Sequence, residues 1–102
     1  MSKIKISVIK RFSPEDVFEH EYKTPDGKVV EKCHFEDGQK WVSEDGKIPE
    51  GFCSWAWIDL ARSMHVLRFG GNYKFWTEDG VIYDTCSDGV RPVCFKLERI
   101  EE

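Results

Sequence analysis

The chain has no long apolar run. Its most apolar-looking stretch, Phe52 to Leu67, is interrupted by Asp59, Arg62 and His65 and is too short to span a bilayer. The opening "MSKIKISVIK" alternates apolar and charged residues and never builds the apolar core of a secretory leader. A membrane partner is therefore not expected, and the reading is a cytoplasmic protein with reduced thiols. A basic stripe is missing as well. Net charge is −4, with 15 basic and 19 acidic side chains interspersed, which argues against a nucleic-acid partner that must be gripped through phosphates. Lys3, Lys5, Lys10 and Arg11 do cluster. On a strand, however, Lys3 and Lys5 share the face opposite Ile4, Ile6 and Val8, as in a solvated, charge-protected strand.

Several motifs are absent too. Cys33, Cys53, Cys86 and Cys94 form no Cys-x-x-Cys knuckle, so no zinc module announces itself. "RFGGNY" (68–73) lacks both the dinucleotide-binding and the phosphate-loop patterns and reads as a helix stop. No carboxylate stands out as a general acid or base, since most lie in turns or on solvated faces.

What is present is enough to fold. With 40% hydrophobic and 14% aromatic residues in 102 positions, residues 1–102 form a single domain that can bury a core without a disulfide or metal. Five Asp-Gly pairs, at 26–27, 37–38, 45–46, 79–80 and 88–89, mark turns at no fixed spacing. Between them "KIKISVIKRF" (3–12) alternates as a strand. "SPEDVFEHEY" (13–22) offers Ser13 as a cap and Pro14 at the first helical position, so a short helix of about 14–21 is expected. "KVVEKCHF" (28–35) and "QKWVS" (39–43) read as one hairpin, and "GVIYDTC" (80–86) and "RPVCFKLERI" (91–100) as a second. The main helix is expected over about 54–68, capped by Cys53 or Ser54 and stopped by Gly70-Gly71. Trp57, Leu60, Ala61, Met64 and Leu67 share its core stripe; Trp55 falls on another stripe and should be partly exposed.

The thiols carry the functional question. Cys53, at a helix start, would feel the positive end of the helix dipole, which favours a thiolate. A nucleophile also needs a base in reach. His65 lies about 18 Å along the same helix at about 1.5 Å per residue, so only His20 or His34 could serve, through tertiary folding. Packing, coordination and reactivity all remain open for Cys53. Cys33 and His34 are neighbours on an expected strand and would point to opposite faces. Cys86 and Cys94 depend on hairpin register. A two-residue loop at Asp88-Gly89 sets Cys94 opposite Tyr83 and turns the two thiols apart, with Ile82 matched to the inner face and Asp84 carried inward. A bulged three-residue loop turns both thiols the same way. Phe52, Trp55, Trp57, Phe75, Trp76 and Tyr83 could wall a pocket or pack in the core, and Arg91 could anchor an anion or pair with an acid.

The stretches "EGFCSWAWIDL", "LRFGG" and "CSDGVRPVCFKLERIEE" make the chain resemble a family of small uncharacterised prokaryotic proteins, with a Gly-Phe-Cys-x-Trp-Ala-Trp helix start and a Cys-x-Asp-Gly-x-Arg-Pro-Val final hairpin. The resemblance covers nearly the whole chain. Cys33, Cys53, Trp55, Trp57, Gly70, Gly71, Cys86, Asp88, Gly89, Arg91 and Pro92 match its pattern, and Cys94 stands where an aliphatic residue is expected. It implies no activity and transfers no catalytic residue.

The expectation is an α+β domain in which an antiparallel sheet of about five strands packs on the main helix. It should act as a non-enzymatic module for a small molecule or a protein partner, with a homodimer left open. The ligand site should lie where the main helix begins beside the last hairpin, using Cys53, Trp55, Cys86 and Arg91. The alternative is a metal ion, or thiol redox chemistry, at Cys33, Cys53 and Cys86.

Overall fold

The computed structural model describes residues 2–101. In chain order it contains β1 (Lys3–Arg11), α1 (Pro14–Phe18), β2 (Lys40–Glu44), α2 (Ser54–Arg68), β3 (Val81–Thr85) and β4 (Val93–Glu101). Four strands, and not five, form one antiparallel sheet in the order β2-β1-β4-β3. Among the described residues no helix is long and apolar enough to cross a membrane.

The missing strand is 28–35. That segment makes a single bridge, Lys23↔Val29, around the Asp26-Gly27 turn and is otherwise irregular. Its expected partner is taken: β2 pairs with β1 through Ile6↔Trp41 and Ile4↔Ser43, and the Asp37-Gly38 turn is tied to β1 by hydrogen bonds to Val8. Val29 is left exposed, and Phe35 alone reaches the core. α1 also ends earlier than expected. Glu19 adopts a left-handed conformation (φ 64°, ψ 14°) and closes the helix with its N–H to the Glu15 carbonyl. Only Pro14 of α1 is buried, so no packing draws the helix onward.

Period-two alternation sends Ile4, Ile6 and Val8 of β1 and Val93, Phe95 and Leu97 of β4 to one face, where all are buried. α2 lies on that face over β1, β3 and β4. Its buried residues are Ala56, Leu60, Ser63, Met64 and Leu67. The core stripe is thus turned from the expected one: Ala61 is exposed and Trp57 only half-buried. β2 lies outside the cover of α2, and there Phe35, Phe52 and Trp41 complete the core. Phe35 meets Trp41 at 5.2 Å, Phe95 at 5.6 Å and Phe52 at 5.6 Å between ring centroids, edge-on or tilted as ring quadrupoles prefer.

The last hairpin pairs Ile82↔Leu97, Asp84↔Phe95 and Thr85↔Cys94 and closes with the Cys86 N–H on the Val93 carbonyl at 3.1 Å. The connection is therefore Ser87–Pro92, longer than either expected loop, but with the parity of the tight one. Cys86 and Cys94 face opposite sides of the sheet, and Asp84 points inward. At 88–89 glycine does not take positive φ, as it does in the other four Asp-Gly turns. Here the Asp88 carboxylate shapes the turn, accepting from the N–H groups of Val90 (3.0 Å) and Arg91 (3.3 Å).

The inward Asp84 explains the buried Ser63, whose hydroxyl donates to Asp84 Oδ2 at 2.6 Å. Ser63→Ala is expected to cost about 1.5–3 kcal/mol, the usual worth of a hydrogen bond to a charged, part-buried group. Urea denaturation measures it, and a change below about 0.5 kcal/mol would show that the bond joining α2 to β3 is dispensable.

Candidate functional site

Three chain segments meet at the start of α2. The loop before β2 brings Cys33, His34 and Phe35; the helix start brings Cys53, Trp55 and Ala56; the end of β3 and the connection to β4 bring Cys86, Asp88 and Arg91. Together they line a cleft of about 70 Å³. All four residues expected for ligand binding, Cys53, Trp55, Cys86 and Arg91, are in its wall, as are all three thiols of the alternative, Cys33, Cys53 and Cys86. Cys94 is on the other face of the sheet. Burial, and secondarily the charge of Cys86, push its thiol pKa up.

Each wall is held in place. Trp55, although 60% exposed, donates from its indole Nε1 to Ser87 Oγ at 2.8 Å. The Ser87 N–H in turn donates to Asp59 Oδ2 at 2.7 Å, one turn further along α2. These two bonds fasten the helix start to the β3–β4 connection. Arg91 pairs with Asp88 (Nε to Oδ2, 3.2 Å), so its cation is already partnered by an acid in the cleft wall. On the remaining side, Arg11 of β1 donates from Nη1 to the Cys33 carbonyl at 3.1 Å and from Nε to Asp37 Oδ1 at 3.2 Å. An irregular segment is thereby anchored at the residue that faces the cleft.

The thiols are not equivalent. Cys86 Sγ accepts from the Val93 N–H at 3.4 Å. Cys53 is the N-cap residue of α2, but its side chain makes no capping bond. Cys33 Sγ lies 3.9 Å from His34 Nδ1. That contact was invisible in the sequence, where a regular strand would have pointed the two side chains apart; the irregular backbone at 30–35 removes the alternation. Of the histidines, His34 alone borders the cleft. His20 contacts the Glu21 carbonyl, and His65 packs on Phe69 at the far end of α2. Among the described residues no group of three or more His, Cys, Asp or Glu side chains is placed to hold a metal ion.

The other aromatics divide. Phe52 is core and Trp57 packs against it, whereas Phe75 and Trp76 are 104% and 83% exposed on the α2–β3 connection, away from the cleft. Sequence reasoning left Phe35 unmarked, and it read Arg11 as part of a solvated basic cluster, His34 as a base only through tertiary folding, and Asp88 as a turn residue. Only Asp88 carried a readable signal, as an Asp-Gly aspartate able to accept from the following amides.

The Arg11 clamp makes a pH prediction. Its side-chain hydrogen bond to Asp37 holds that carboxyl below the usual aspartate range. Asp16 is lowered likewise, by the Ser13 N–H and then the Ser13 hydroxyl. A carboxyl depressed in the folded state adds stability that is present above the unfolded value and is lost as pH falls through the folded one. Carbon-detected NMR should therefore show Asp37 titrating below about 3.9, the unperturbed value, and moving up towards it in Arg11→Gln, which keeps only the backbone N–H bond from residue 11. An ordinary titration in the parent would mean that Arg11 does not hold this segment in solution.

No family model, no curated protein and no solved structure matches the chain.

Proposed function

We propose that the cleft at the start of α2 is a binding site for a small ligand and that the protein is a non-enzymatic binding module built around it. One observation carries the reading: Cys53, Trp55, Cys86 and Arg91, from two elements distant in sequence, border a common space that Cys33 also borders. The cleft holds on the order of two water molecules at about 30 Å³ each. It therefore takes the end of a ligand, with the rest lying outside. Trp55 supplies an exposed apolar face, the Arg91–Asp88 pair a polar edge, and the N-terminus of α2 a positive field.

Trp55 also supplies the readout. A panel of small molecules is titrated against the parent, following tryptophan emission and thermal midpoint. Compounds that shift both should lose their effect in Cys53→Ser and in Arg91→Ala. Variants that keep every binding property of the parent would sink the reading.

A second reading is favoured by the three thiols on one cleft: a thiol-redox protein using Cys33, Cys53 and Cys86. It predicts that mild oxidation consumes thiols from this set and spares Cys94. The metal form of this reading predicts thiolate-to-metal charge-transfer absorption on adding zinc or cadmium, lost in Cys53→Ser.

A further inference from the structure

Beside the cleft runs a wider, open groove of about 520 Å³ between the 22–34 segment and the β3–β4 connection. The two share His34, Asp88 and Arg91 in their walls. They are therefore neighbours: a narrow slot lined by three cysteine residues beside a space in the size range of an organic ligand. Resting on the ligand-binding reading above, we propose that slot and groove form one site for an anionic low-molecular-weight disulfide, with Cys33 as the thiol that exchanges with it.

Charge, size and position support this class of ligand. The chain as a whole is acidic, at −4, yet the groove is not. Arg91 and Asp88 neutralise each other there, Lys28 lies 4.0 Å from Asp26, and Lys32 stands against Glu31, so the groove is close to neutral with two lysines in its wall. A carboxylate-bearing ligand is thus repelled less here than the net charge of the chain implies, and it meets Lys28 and Lys32 in the wall. The slot admits only a few heavy atoms, which suits a disulfide sulfur and its methylene but not a ring. Cys33 lines the slot and is flanked in the chain by Lys32 and His34, both of which line the groove. Arg11 pins its backbone, and His34 Nδ1 at 3.9 Å is placed to take its proton. Cys86 has its sulfur engaged by a backbone amide, and Cys94 is on the opposite face.

The step balances without another reagent. The Cys33 proton passes to His34, and the thiolate attacks one sulfur of R–S–S–R. The old S–S bond breaks as the Cys33–S–S–R bond forms, and the leaving RS⁻ takes the proton back from His34 to depart as RSH. Cys33 is oxidised, and one half of the disulfide is reduced.

Oxidised glutathione serves as the anionic probe and bis(2-hydroxyethyl) disulfide as the neutral one, with adducts followed by intact mass and peptide mapping. Cys33 should acquire the first glutathione at least about tenfold faster than Cys94, and Cys33→Ser should remove that adduct. The double variant Lys28→Glu/Lys32→Glu changes only exposed side chains, so it keeps the fold. It should slow the glutathione reaction at least about fivefold and leave the neutral probe unchanged. His34→Gln should slow both probes. If Cys33 reacts fast but the charge reversal slows both probes equally, or neither, the anionic class is overturned while the cleft stands. If all four thiols react at one rate, the exchange site is overturned, and the small-ligand reading is then judged by its own variants, Cys53→Ser and Arg91→Ala.

Discussion

Phe35→Ala is expected to lower folding stability by about 3–5 kcal/mol, the range for truncating a buried aromatic side chain. The residue lies outside every strand and helix, yet it is 3% exposed and touches Trp41, Phe52 and Phe95. α2 does not reach β2, so this ring fills the space that the helix leaves over that end of the sheet. At about 4–8 °C per kcal/mol for a domain of this size, the thermal midpoint should fall by more than about 10 °C. Phe35→Leu retains most of the apolar volume and should cost less than about 1.5 kcal/mol. The alanine variant should also release the attached Cys33–His34 segment, so that Cys33 alkylates faster in the native state. A loss below about 1 kcal/mol would mean that the segment rests on the core without being part of it.

The second large effect lies at the opposite end of α2. Arg99 of β4 donates from Nη1 to the carbonyls of Leu67 (2.9 Å) and Gly71 (3.0 Å) and from Nη2 to Asn72 Oδ1 (3.0 Å). Asn72 Oδ1 also accepts from the Gly80 N–H at 2.6 Å, and the Arg99 N–H donates to the Gly80 carbonyl. One guanidinium thereby meets the Leu67 carbonyl in the last turn of α2, where carbonyls lack intrahelical partners, and ties the α2–β3 connection to the sheet. Arg99→Met keeps the apolar stem but leaves the Gly71 carbonyl without this donor and takes one of two donors from the Leu67 carbonyl and from Asn72 Oδ1. It should cost about 2–4 kcal/mol, given about 1.5–3 for a single charged hydrogen bond and imperfect additivity. Arg99→Lys should recover less than half, because a point-like ammonium cannot span three separated acceptors. Urea denaturation gives the energy, and amide exchange should quicken from Leu67 to Gly80. Unchanged exchange there would refute the clamp.

The two predictions concern residues that the sequence left unmarked. Phe35 sat in a stretch whose alternation resembled a strand, and Arg99 looked like one of several charges on the last strand. Their weight comes from what surrounds them. The elements were far more legible. α2 occupies Ser54–Arg68, as capping and glycine signals placed it, and the alternation of β1 and β4 put the right residues inside. The capping box of α1 was also readable, with Ser13 and Asp16 bonding each other's backbone. Its end was not, because Glu19 took a left-handed turn that only glycine or asparagine would have advertised.

The candidate site followed the same division. Cys53, Trp55, Cys86 and Arg91 could be gathered from sequence because helix start and hairpin end are each marked by local signals. Cys33 entered as a member of the thiol set, and His34 as a chain neighbour pointing away from it, since their meeting needs an irregular backbone. The split of Cys86 from Cys94 turned on register, and register turned on whether Ile82 or its neighbours should face α2. The side-chain pattern alone was balanced between these. Tertiary packing settled it by giving the inward Asp84 a hydroxyl on α2 to accept from.

By itself, then, the sequence determined what short-range chemistry can encode: where the chain turns, where α2 begins and ends, and which side of each long strand is apolar. Only the tertiary structure decided which strands flank β1, how α2 is rotated about its axis, and that three thiols from three segments share one cleft. Those outcomes depend on long-range competition, in which β1 can accept only one neighbour on each edge and each inward polar group must find a partner. No local window contains both competitors.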